Sequence, residues 1–208
     1  MSLPTLRQAY AFLGPLKGKS STFLVKGRTA NAIISHLILG CLSVTKLDVT
    51  VLDTSNFFGT NMPKLTGNLP KEFLQKNFIE RIPDDSSEEI PLTEVIATDA
   101  SVVWIDDMNA IFHLLSSRNQ RSGIQLLSTF YRMLSYSARI NNTVVLGTVY
   151  KTTFGTAVSG IAKRSLPELS DLQVFTDVRA GEAVFRCHEI TVWPAEGFVV
   201  PLYLEERT

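Results

Sequence analysis

The chain has 208 residues, enough for one domain with a sizeable core. Hydrophobic residues make up 45% and charged residues 19%, which excludes a disordered chain. Lys plus Arg balance Asp plus Glu at 20 each, so no overall basic field draws the chain onto nucleic acid. Nucleic-acid binding, if present, has to come from a local patch or from a partner.

The first 19 residues, MSLPTLRQAYAFLGPLKGK, lack the long apolar stretch and cleavage pattern of a signal peptide. Phe23, Leu24 and Val25 form a compact apolar run, the mark of a central strand. Gly27 opens a turn, and Ala30 to Ser43 reads as a helix apolar on most sides, buried against a sheet and too short to span a bilayer. Leu47 to Asp53, rich in β-branched residues, is the second strand. Asn56 to Asn68 contains Gly, Asn and Pro and reads as a connection, followed by a short helix at Lys71 to Gln75 and a short strand at Asn77 to Arg81.

Residues 83 to 89, PDDSSEE, are an acidic loop or helix start. Ser101 to Ile105 is a third apolar strand, running into Asp106 and Asp107. Ser116 to Gly123 reads as a polar loop, and Gln125 to Arg139 carries a helical stripe of Leu127, Phe130, Leu134 and Ala138. A fourth strand starts near Thr143. Strands near Leu172 to Phe175, Ala183 to Ile190 and Phe198 to Leu204 close the chain, the last two joined by a turn at 194 to 197. Apolar strands alternating with helices imply a mostly parallel sheet covered on both faces, with a C-terminal β-hairpin at its edge. No repeat or linker interrupts the pattern, so residues 1–208 are expected to form a single α/β domain.

Cys41 and Cys187 lie far apart and read as reduced thiols acting as small apolar residues. His188 beside Cys187 does not make a zinc spacing, and no metal or cofactor is expected.

The stretch from Ser20 to Gly40 has the frame of a strand, loop and phosphate-binding helix. A P-loop, G-x-x-x-x-G-K-[ST], wraps phosphates with backbone N–H groups, adds a Lys cation, and offers a hydroxyl to Mg²⁺. Counted from Gly27, the second Gly is Ala32, the Lys is Ile33 and the Ser/Thr is Ile34. On this count flexibility, charge and metal ligand are all removed. Gly27 then either marks a relict site or simply ends a strand. Asp106 follows Val102 to Ile105, the pattern of an acidic strand end at a nucleotide site; alternatively Asp106 or Asp107 caps the next helix.

Taken together, FLGPLKGKSSTFLVKG, VTVLDTSNFF, SVVWIDDMNAIF and RSGIQLLSTFYRMLSYSARINNTVVLGTVYK resemble, in order and spacing, the core of RecA-type recombinases of the archaeal and eukaryotic branch. The likeness runs from about residue 10 to residue 155. It implies a RecA-like core with a degenerate nucleotide site at Gly27, Ala32, Ile33, Ile34, Asp53, Ser55 and Asp106. The family's catalytic Glu corresponds to Ser55 and its phosphate-sensing Gln to Val149. The resemblance therefore implies no ATPase activity. It implies an accessory paralogue that forms an obligate heterodimer with another recombinase paralogue and assists the main recombinase filament on single-stranded DNA during homologous recombination and DNA repair.

The expected location is the nucleus, or the cytoplasm for an archaeal source, without a membrane. Two loops that contact DNA in the family correspond to Arg118 and Arg121, and to Lys151, Lys163 and Arg164; the other reading of these loops is an ordinary solvated surface. Residues 1–18 form a lead-in segment whose Tyr10 and Phe12 serve either as aromatic anchors for a partner or as local packing. Two competing readings are a structural RecA-like subunit of an RNA-modifying complex and an NTPase with an unusual loop.

Overall fold

A computed structural model describes residues 3–25, 27–54, 56–81, 92–116, 120–150, 170–179, 182–188 and 198–201. Its described strands form one sheet. In chain order these are β1 (Ser20–Val25), β2 (Val49–Asp53), β3 (Phe78–Arg81), β4 (Val102–Asp106), β5 (Val144–Tyr150), β6 (Leu172–Arg179), β7 (Glu182–His188) and β8 (Phe198–Pro201). Their spatial order is β3-β2-β4-β5-β1-β6-β7-β8. The first six in that order run parallel, and β7 and β8 add antiparallel at the edge.

The helices are α1 (Leu6–Leu13), α2 (Arg28–Thr45), α3 (Phe57–Thr66), α4 (Lys71–Lys76), α5 (Leu92–Ile96), α6 (Met108–Ser116) and α7 (Gln120–Asn141). Successive strand side chains point to opposite faces. Phe23, Val25, Val49, Val51, Val102, Trp104, Val144 and Leu146 therefore pack on one side with buried residues of α1 to α4, including Phe12, Ile34, Phe58 and Phe73. Leu24, Leu52, Val103, Ile105, Val145 and Val149 pack on the other with α5, α6 and α7. This is the expected RecA-like α/β core, with a mostly parallel sheet and helices on both faces.

Two connections differ from the sequence reading. The Gly- and Asn-containing stretch after β2 is mostly helix α3. Phe58 is fully buried there and stacks edge-on against Trp104, with ring centroids 5.0 Å apart. Burial of that ring outweighs the poor local propensity of Gly59, Asn61 and Pro63. The polar stretch before α7 is shorter than expected, because residues 120–123 are already helical. The turn read at 194–197 lies outside the described residues.

The lead-in segment belongs to the domain. Thr5 and Gln8 form a reciprocal capping box at the start of α1. Ala9, Phe12, Leu13 and Leu16 are buried. A side chain at Gly40 would sit 2.8 Å from Pro4, so the glycine lets this segment lie directly on α2.

Polar pairs fix the amino ends of the strands. Asp171, just before β6, accepts hydrogen bonds from the Ser20 backbone at 2.9 Å, the Ser20 hydroxyl at 3.0 Å and the Arg139 guanidinium of α7. Partial burial pushes the Asp171 carboxyl up, but these donors and the Arg139 charge together hold it below the usual carboxylate range. Cys41 is a buried free thiol, pushed up to about 12 by burial, which suits a small apolar residue of α2. Cys187 lies in β7.

Candidate functional site

Strand alternation decides what gathers at the carboxyl end of the sheet. Asp53 shares a face with Val49 and Val51, and Asp106 with Val102 and Trp104, so both carboxylates turn toward α2 and α3. The two residues are direct register partners on adjacent strands, and both are fully buried. Each meets a different set of donors.

Asp53 is saturated by α3. Its carboxylate accepts the backbone N–H groups of Phe57 at 2.8 Å, Phe58 at 2.7 Å and Gly59 at 3.2 Å. These are otherwise unpaired donors of a helix start, where a negative charge is also favoured by the helix dipole. Asp107 does the same for α6, accepting the Ala110 N–H at 2.6 Å. Burial still raises its carboxyl above the ordinary value. The helix-cap reading of the sequence thus applies to Asp107 and not to Asp106.

Asp106 faces α2 and β5. Asn31 donates its amide to the carboxylate at 3.2 Å and to the Tyr150 hydroxyl at 2.6 Å. The Thr148 hydroxyl also bonds Asp106 and takes the Trp104 indole N–H at 3.1 Å. Burial pushes the Asp106 carboxyl up to about 7, helped by the charges of Asp107 and Asp53 and opposed by the bonds from Thr148 and Asn31. The Asp106–Asp107 peptide is cis, and the Thr54 hydroxyl bonds the carbonyl oxygens of both residues at 3.0 Å. The Oδ1 atoms of Asn31 and Asn109, both beside this cluster, have no hydrogen-bond partner.

The phosphate-loop count is corrected by the position of α2. β1 ends at Val25 and α2 begins at Arg28, so only Lys26 and Gly27 connect them. Gly27 is the helix cap, with φ +90° and ψ 170°, a conformation that favours glycine. It therefore stands where the motif's last glycine stands, directly before the helix, and Arg28 and Thr29 hold the Lys and Ser/Thr places at its start. Ala32, Ile33 and Ile34 lie in the second turn of α2. Ile34 is buried in the core, and Ala32 and Ile33 pack half-buried against it. They do not line a loop.

Val149 is displaced in the same way. It faces α6 and α7, while Thr148 and Tyr150 face the acidic cluster.

Phe12 is fully buried, its ring centroid 6.4 Å from that of Phe23, and is corrected from docking anchor to core residue. Tyr10 is 55% exposed. Arg121 is exposed in the first turn of α7, not in a loop. Ser55, Arg118, Lys151, Lys163 and Arg164 lie outside the described residues. Asn31, Thr148 and Tyr150 were not anticipated. The available signal was a single Asn one turn into an otherwise apolar helix.

Among the described residues, no three His, Cys, Asp or Glu side chains are grouped so as to hold a metal ion. No described helix is long and apolar enough to cross a membrane. Asp53 is held by three N–H groups of α3, and the buried Asp106 is met by Asn31 and Thr148.

A scan against protein-family models gives no match, and a search of curated proteins gives none either. Solved structures do share the fold. The RadB recombinase superposes with a TM-score of 0.61 at 18% identity, covering 88% of this chain and 86% of that one. The flagellar accessory protein FlaH from Methanocaldococcus jannaschii gives 0.54 at 16% identity, covering 88% and 82%.

Proposed function

We propose that this chain is a non-catalytic recombinase paralogue, an accessory subunit that pairs with another recombinase-family protein and assists recombinase filaments on single-stranded DNA in homologous recombination and repair. The observation that carries the non-catalytic part is the two-residue connection between β1 and α2. It keeps a strand and a helix in RecA-like relation while leaving too little chain to wrap a triphosphate. In sequence Arg28 and Thr29 take the motif's Lys and Ser/Thr places, but a cation without a nest of surrounding N–H groups holds phosphate weakly. The fold shared with the RadB recombinase supports the pathway and the pairing with a recombinase-family protein. The cellular place that follows is the nucleus, or the cytoplasm of an archaeal cell.

Two measurements test the reading separately. Calorimetric titration with ATP and Mg²⁺ is expected to give no micromolar binding; clear binding would remove the non-catalytic part. Assembly of a RecA-type recombinase on single-stranded DNA, followed by electron microscopy with and without this chain, is expected to show altered filament length or number. Unchanged filaments, together with no association with recombinase-family proteins, would remove the accessory part.

A further inference from the structure

Helix α7 is apolar on two sides. Leu127, Phe130, Tyr131, Leu134 and Ala138 fill the core beneath the sheet. On the outside, Leu126 is 53% exposed, Met133 48%, Tyr136 68% and Ile140 62%. Among the described residues, four of the six large exposed apolar side chains thus sit on this one helix. Their spacing of seven, three and four residues places them along one side over about 21 Å, since each helical residue rises about 1.5 Å. That spacing is the seam of a helix pair. A helix needs a single apolar stripe to bury itself against its own sheet, so the second stripe is not accounted for by the fold.

Charge narrows what covers it. The α7 sequence carries Arg121, Arg132 and Arg139 and no Asp or Glu. Separations of eleven and seven residues bring the three arginines within roughly 20° of one row beside the apolar stripe. Asp171 engages Arg139. A second copy of this chain would set Arg132 against the same row of arginines, with no acid on either α7 to pair it, which costs stability at close range. The heptad-like spacing also suits another helix better than a fluid lipid surface.

We propose that the outer face of α7 docks an amphipathic helix of a different protein, one whose apolar seam is flanked by Asp and Glu. This surface lies across the sheet from α2 and the acidic cluster, so the inference does not rest on the recombination reading.

The test uses two synthetic 21-residue helical peptides with the same Leu/Ile seam, one flanked by Glu and one by Lys, titrated into the whole chain by fluorescence anisotropy. The Glu-flanked peptide is expected to bind at least tenfold more tightly. The pair Tyr136→Glu with Ile140→Glu is expected to weaken it at least tenfold, and Arg132→Glu to narrow or reverse the ranking. All three positions are solvent-facing, and circular dichroism checks that each variant folds. The milder Leu126→Ser with Met133→Ser serves if the first pair does not.

No binding by either peptide, equal binding by both, or wild-type binding by the stripe variants would overturn the proposal. So would a dimer in sedimentation velocity that the stripe variants abolish, which assigns the face to a second copy. Stripe-dependent sedimentation with phosphatidylserine vesicles would assign it to lipid instead.

Discussion

Asp53 and Asp106 end neighbouring strands in direct register, lie on the same face and are equally buried. They differ in what arrives to meet them. A helix start meets Asp53 with three N–H groups, donors that would otherwise lack a partner within the helix. Asp106 is met by the Asn31 amide and the Thr148 hydroxyl beside two further acids, and burial pushes its carboxyl up to about 7. Equal burial and direct register thus leave the two acids with different partners, a helix start for one and an amide and a hydroxyl for the other.

The comparison breaks most visibly at Asp53. Asp53→Ala leaves three N–H groups at the buried start of α3 without their acceptor, and is expected to cost about 3–5 kcal/mol in urea denaturation. A loss below about 1 kcal/mol would mean that α3 does not depend on this carboxylate.

Asp106→Asn should act in the opposite direction. The raised carboxyl makes the folded state bind a proton that the unfolded chain releases near pH 4. Its contribution to stability is therefore full below that pH, falls as pH rises toward about 7, and is flat above. The Asn variant removes this slope and is expected to be more stable than the parent at pH 8 by roughly 1–3 kcal/mol. Thermal melts from pH 4 to pH 8 check the sign, and a parental slope unchanged in the variant would refute it.

The smallest effect is expected for Thr148→Val. It keeps the shape but removes the Asp106 donor and the Trp104 acceptor. A cost of about 1–2 kcal/mol is expected, together with a further rise in the Asp106 pKa, read by the carboxyl carbon signal in an NMR titration.

Much of this frame was visible in the sequence. Val102 to Ile105 and Phe23 to Val25 announce buried parallel strands because both faces of each need apolar side chains. Asp106 could be placed at a strand end by the same rule. Helix α3 was not visible, because its local signals are those of a loop. What makes it a helix is the distant contact of Phe58 with Trp104 and the Asp53 cap. The register of the β1–α2 turn was also obscured, since Gly27 can be counted as either glycine of the motif. The cue was the shortness of the step from Val25 to Gly27 followed at once by Arg28 and Thr29. The partnership of Asn31 with Asp106 and Tyr150 joins residues 75 and 119 positions apart, which no local pattern encodes.

The Asp171 latch couples parts of the molecule that are remote in sequence. It joins the first residue of β1 to the approach of β6, and its third donor, Arg139, immediately precedes Ile140 on the outer face of α7. A protein seated over that last turn would therefore bear on the same joint that sets where β6 begins beside β1. One ion pair thus ties the outer helix to the seam between β1 and β6.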